Sequence, residues 1–181
     1  MINKLEEVYK SENRKYLMLI LSIWIMSFII DIWPIIFLAL FCVANAMLLS
    51  VFKHIQAPID IEMITFPVVL MTIKYGLLWG IALAILSSIF HIIYNKEFSI
   101  AQVFFLMGYF ASAFLASFFH GINIVLLGVL ITVVINFYFA FISRFVIFYS
   151  NHEVMIATVS NVFFNIALFI GFSEVIIRIM L

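Results

Sequence analysis

The sequence predicts an all-α fold, a polytopic transmembrane bundle of six to seven helices. Three observations predict it. The chain is 67% hydrophobic and 10% charged, with a mean hydropathy of +1.30. A soluble domain is roughly 45–50% apolar and about a quarter charged, so lipid must solvate much of this surface. Apolar runs close to the ~20 residues that a membrane helix needs follow one another along the chain. Small residues recur within them at intervals of four, the spacing that keeps side chains on one helix face.

The runs come in order. Segment one is Tyr16–Ile30, closed by Asp31-Ile32-Trp33-Pro34. Segment two is Ile35–Phe52, three is Ile61–Tyr75 and four is Gly76–Tyr94. Segment five is Ile100–Phe119, six is Ile122–Ser143 and seven is Val154–Phe172. The connections are short and no linker interrupts them, which predicts one domain, residues 16–181, behind a polar tail, residues 1–15. In that tail Lys4, Lys10, Arg14 and Lys15 interleave with Glu6, Glu7 and Glu12. The pattern fits a solvated tail or a short interfacial helix. It is too long and too mixed in charge for the start of a cleavable signal, and no small-x-small site follows.

If all seven segments cross, Lys4, Lys10, Arg14, Lys15, Lys53, Lys96 and Arg144 share one side, and only Lys74 and Arg178 lie opposite. The Lys/Arg bias then puts the tail in the cytoplasm and the C-terminus outside, in a multi-pass plasma-membrane protein.

The stripes of small residues are Cys42, Ala46 and Ser50; Gly76, Gly80, Ala84 and Ser88; and Gly108, Ser112 and Ala116. Such faces let helix backbones approach closely. They are candidates for packing inside the bundle, with Cys42, Ala46 and Ser50 also a candidate docking face for a partner. Cys42 is the sole cysteine, which excludes an intrachain disulfide. Segment six carries Gly128, Thr132, Asn136 and Arg144 at multiples of four, and segment seven carries Thr158, Asn161 and Asn165. Asparagine in hydrocarbon needs a partner, so these faces must turn toward protein. Two expectations follow: amides bonded to one another, or a polar pocket between the two helices.

Segment three is the odd one. Ile61–Tyr75 is about 22 Å long as a helix, short of a hydrocarbon layer of about 30 Å. Asp60 and Glu62 open it, Lys74 closes it and Pro67 predicts a bend. Either the acids only favour the positive end of a helix dipole, or they rim a site for a polar or cationic ligand. Together with Asn136, Asn161 and Asn165 they form the candidate substrate-binding set.

Catalysis has no signature here. His54, His91, His120 and His152 stand near segment ends without metal-ligand spacing, and there is no nucleophile elbow, phosphate loop or dinucleotide fingerprint. The expectation is a non-enzyme without cofactor or resident metal. Zero net charge and the lack of a basic stripe argue against nucleic acid, and leave the lipid bilayer as the first partner.

The run Glu62, Pro67, Gly76 and Gly80, followed by His91, resembles the second and third helices of the substrate-binding S components of energy-coupling factor transporters. These are small membrane proteins of six helices that capture vitamins or metal ions. They dock on a membrane coupling subunit driven by two ATPases. The resemblance implies that segments two to seven are those six helices, and that Asp60 and Glu62 lie in a substrate-side loop. It also implies that Gly76 and Gly80 make a tight third-helix contact and that Cys42, Ala46 and Ser50 meet the coupling subunit. The small-molecule substrate stays unknown. The family keeps the loop before its second helix outside, whereas the charge count puts Lys53–Asp60 inside. The same stretch also resembles the small membrane subunits that determine rod shape, which are non-catalytic scaffolds of envelope complexes.

Overall fold

The computed structural model describes residues 15, 16, 18, 31–55, 61–95, 98 and 100–180. Segment one falls almost wholly outside the described residues, as do most of the polar tail and Asp60. The chain divides into two compact units, Met1–Trp33 and Pro34–Leu181. In the first, Lys15, Tyr16 and Met18 are helical and exposed, and Asp31 Oδ1 accepts the Trp33 N–H at 3.2 Å.

The second unit is all helical among the described residues. Its helices are α1 (Trp33–Ile55), α2 (Thr65–Tyr75), α3 (Leu77–Asn95), α4 (Ile100–Phe118), α5 (Ile124–Phe145) and α6 (Asn151–Ile179). Four of them, α1, α4, α5 and α6, are long and apolar enough to cross a membrane. They carry large exposed apolar side chains such as Met47, Phe114, Phe137 and Phe163, as helices facing lipid do. The chain is a membrane protein.

α2 is different. Its 11 residues make about 16 Å of helix. Every residue from Thr65 to Thr72 is buried, so no side faces outward over that stretch. A helix apolar all round must be enclosed, and α3, α4, α5 and α6 all pack on it. The four follow one another around α2, each against the next in sequence. Pro67, where a bend is expected, stands at the start of the helix. The helix starts two residues earlier, at Thr65, so Pro67 sits in the first turn, where an N–H has no intrahelical acceptor to lose.

Gly76 alone joins α2 to α3, with φ of +98°, a backbone conformation that side chains disfavour. Four residues on, Gly80 lies against α2. A Cβ there would land on Thr72 Oγ1, whose hydroxyl donates back to the Val68 carbonyl at 2.8 Å. Ala84 and Ser112 are fully buried, and Ser112 Oγ donates to the Gly108 carbonyl at 3.0 Å. Gly108 lies under the rings of Tyr138 and Phe139, and Gly128 under that of Phe169. Cys42 turns inward, its Sγ 3.9 Å from Ser87 Oγ on α3, while Ala46 and Ser50 are half-buried. At Cys42, then, the α1 stripe packs within the unit.

Helix ends moved where caps act. α5 starts at Ile124 because the Asn123 side chain accepts from the N–H groups of Val125 and Leu126. α6 starts at Asn151, three residues before expected, because Ser150 and Glu153 form a capping box. It runs on to Ile179, past the expected end at Phe172.

Candidate functional site

The site is built around the non-helical residues that lead into α2. A backbone out of helix needs partners for its N–H and C=O, above all where water is scarce. At Glu62 both come from α6. The Glu62 N–H donates to Asn161 Oδ1 at 3.1 Å, and Asn165 Nδ2 donates to the Glu62 carbonyl at 3.0 Å. Two side-chain amides, one helical turn apart, thus satisfy both backbone groups of this residue.

The amides continue into a seam between α6 and α5. Asn161 Nδ2 donates to Asn136 Oδ1 at 3.0 Å, and Asn136 Nδ2 donates to the Thr132 carbonyl at 2.9 Å. Asn165 Nδ2 also reaches Asn161 Oδ1 at 2.9 Å. All three asparagines are buried. Asn165 Oδ1 and the Thr132 hydroxyl are the polar atoms left over in the seam. Along α5, Asn136 lies about 18 Å from the start and about 14 Å from the end. Along α6, Asn161 lies about 15 Å from the start. The seam is therefore near mid-length of both helices.

The Glu62 side chain belongs to another environment. Glu62 is buried at 8% exposure and lines a pocket with Ile64 from the same segment, Ser88 and His91 from α3, and Gln102, Phe105 and Tyr109 from α4. The end of α3 and the start of α4 meet the start of α2 there, so one acid, one imidazole, one amide and two hydroxyls share a small space. The empty volume is about 260 Å³, of which about 20 Å³ is open to the centre of a water-sized molecule. That is room for about one water. Tyr109 is 2% exposed, and its hydroxyl has no hydrogen-bond partner. A buried hydroxyl without a partner costs roughly 1–3 kcal/mol.

Of the residues expected to bind substrate, the structure brings four together: Glu62, Asn136, Asn161 and Asn165. It divides them by role. The asparagines bond to one another and to the Glu62 backbone, and only Glu62 lines the pocket. The remaining polar lining was missed. Ser88 read as part of a packing stripe, and His91 as polarity at a segment end. Gln102 and Tyr109 carried no pattern; their signal is that both lie on α4 seven residues apart, two turns along one face. Among the described residues no three of His, Cys, Asp and Glu gather closely enough to hold a metal ion.

No protein-family model, curated protein or solved structure matches this chain.

Proposed function

We propose that this is a multi-pass plasma-membrane protein that binds a small polar molecule beside Glu62, as the substrate-capturing component of a transporter energised by partner subunits. One observation carries the reading: five polar side chains from three elements line one pocket at the entry to a half-length helix. Half-length helices and unwound segments near the bilayer midplane are a recurrent way to build transport sites. A buried ionisable group in a membrane protein is expensive unless it has a function. The lining suits an organic ligand that donates hydrogen bonds or carries positive charge, with Glu62 and the Tyr109 hydroxyl as its first contacts. In this reading the protein works by binding and is not an enzyme.

Release of bound small molecules from protein purified out of native membranes tests the proposal. Wild type yields a defined polar compound, Glu62→Gln and Tyr109→Phe lose it, and ATPase subunits co-purify. Recovery of the same compound from both variants contradicts it.

A scaffold in an envelope complex is the second reading, favoured by the small free volume of the pocket. That reading expects no compound, and co-purification of envelope-synthesis proteins in place of ATPases.

A further inference from the structure

A second concavity lies farther along α5 and α6, toward the end of α5 and the start of α6. It is a shallow, open groove lined by Phe137, Ala140, Val154, Met155, Thr158 and Val159, with Arg144 at one end. Phe137, Met155 and Val159 are exposed. On a membrane protein an apolar groove so placed is filled by hydrocarbon.

Arg144 gives the groove a charged end. It stands in the last turn of α5, where its Nη1 donates to the Tyr149 carbonyl at 3.0 Å. A guanidinium has five N–H donors, so most of its capacity remains for another acceptor. The carboxylate nearest in sequence is turned away: Glu153 Oε2 accepts from the Ser150 N–H at 3.0 Å and the Ser150 hydroxyl at 2.8 Å. Among the described residues no carboxylate pairs with Arg144. Asn151, whose side chain offers further donors, lines the same end.

We infer that this groove is a binding site for an anionic phospholipid, an acyl chain lying between Phe137 and Met155 and the phosphate resting on Arg144. The charge selects the occupant. A zwitterionic lipid fills the apolar part equally well, but its headgroup returns a positive charge to the Arg144 end. Cationic pockets between membrane helices recognise anionic headgroups in this way.

Native mass spectrometry of the full chain in detergent, titrated with phosphatidylglycerol or with phosphatidylcholine of the same chains, tests the inference. Phosphatidylglycerol is expected to bind about fivefold more tightly, the contribution of one well-placed cation. Arg144→Gln abolishes the preference and Arg144→Lys keeps most of it. Ala140→Phe fills the groove and weakens both lipids, which also decides the matter should Arg144→Gln fail to fold. Inorganic phosphate alone neither binds nor displaces lipid. Equal binding of the two lipids by wild type overturns the site, as do unchanged lipid binding in Ala140→Phe and displacement of lipid by inorganic phosphate.

Discussion

Two polar clusters meet at Glu62, and they are built on opposite terms. In the α5–α6 seam every amide donor has an acceptor: Asn136 to Thr132, Asn161 to Asn136, and Asn165 to Glu62 and Asn161. In the pocket a buried phenol hydroxyl stands without a partner. The seam ties backbone and side-chain amides together; the pocket gathers polar side chains around that hydroxyl. The backbone of Glu62 belongs to the first and its side chain to the second. The difference teaches that a buried polar residue in lipid is not by itself a ligand site. What separates the two clusters is where their groups point: the seam amides bond to backbone and to one another, with Asn165 Oδ1 and the Thr132 hydroxyl left over, whereas the pocket side chains line an open space.

The largest effect should come from breaking the seam. Asn161→Leu strands the Glu62 N–H and the acceptor Oδ1 of Asn136, and takes one acceptor from Asn165. We expect a loss of about 2–4 kcal/mol of unfolding free energy, read by denaturant titration in mixed micelles. Asn165→Leu should lose less, since it strands only the Glu62 carbonyl. If neither variant is destabilised, the seam does not hold the entry to α2.

Enclosure of α2 gives the next effect. Gly80→Val drives side-chain atoms into Thr72 on the buried helix and should cost about 1–3 kcal/mol. The same substitution at Gly171, where an added Cβ meets nothing, should cost far less. Comparison of the two unfolding midpoints separates enclosure of α2 from a general intolerance of bulk.

These features were unequally legible in the sequence. Periodicity of four found Gly80, Gly108 and Gly128, because close helix approach repeats with the helix. The asparagines were visible because hydrocarbon makes any amide conspicuous. The shortness of segment three was visible from its charges, but its enclosure was not, since that depends on four helices gathering round it. The role of Pro67 was not legible: a proline at a helix start and one that bends a helix look alike until the first helical residue is known. His91, Gln102 and Tyr109 were hidden because the pocket joins the end of α3 to the start of α4, a proximity that no local pattern announces. The Ser150–Glu153 capping box is readable in the sequence as a serine three residues before a glutamate, ahead of a long apolar run.

Asn45 supplies a smaller test. It is 2% exposed on α1, and neither amide atom has a hydrogen-bond partner. Asn45→Leu should raise stability by about 1 kcal/mol, since it removes an unsatisfied group of similar volume. A loss of stability would show that this amide has a partner in the membrane-embedded protein. Tyr109→Phe should have the smallest effect on folding, within about 1 kcal/mol and in the stabilising direction. A fall in stability as large as that of Asn161→Leu would make the hydroxyl structural, and would merge the two clusters.

The central claim is that side-chain amides of α6 hold the Glu62 backbone at the entry to α2. The most direct test sets the unfolding free energy of Asn161→Leu beside that of Ser160→Ala, whose hydroxyl bonds only carbonyls of its own helix. The claim predicts that Asn161→Leu falls by at least about 2 kcal/mol while Ser160→Ala stays within about 1 kcal/mol of wild type. An Asn161→Leu loss no greater than that of Ser160→Ala would contradict it.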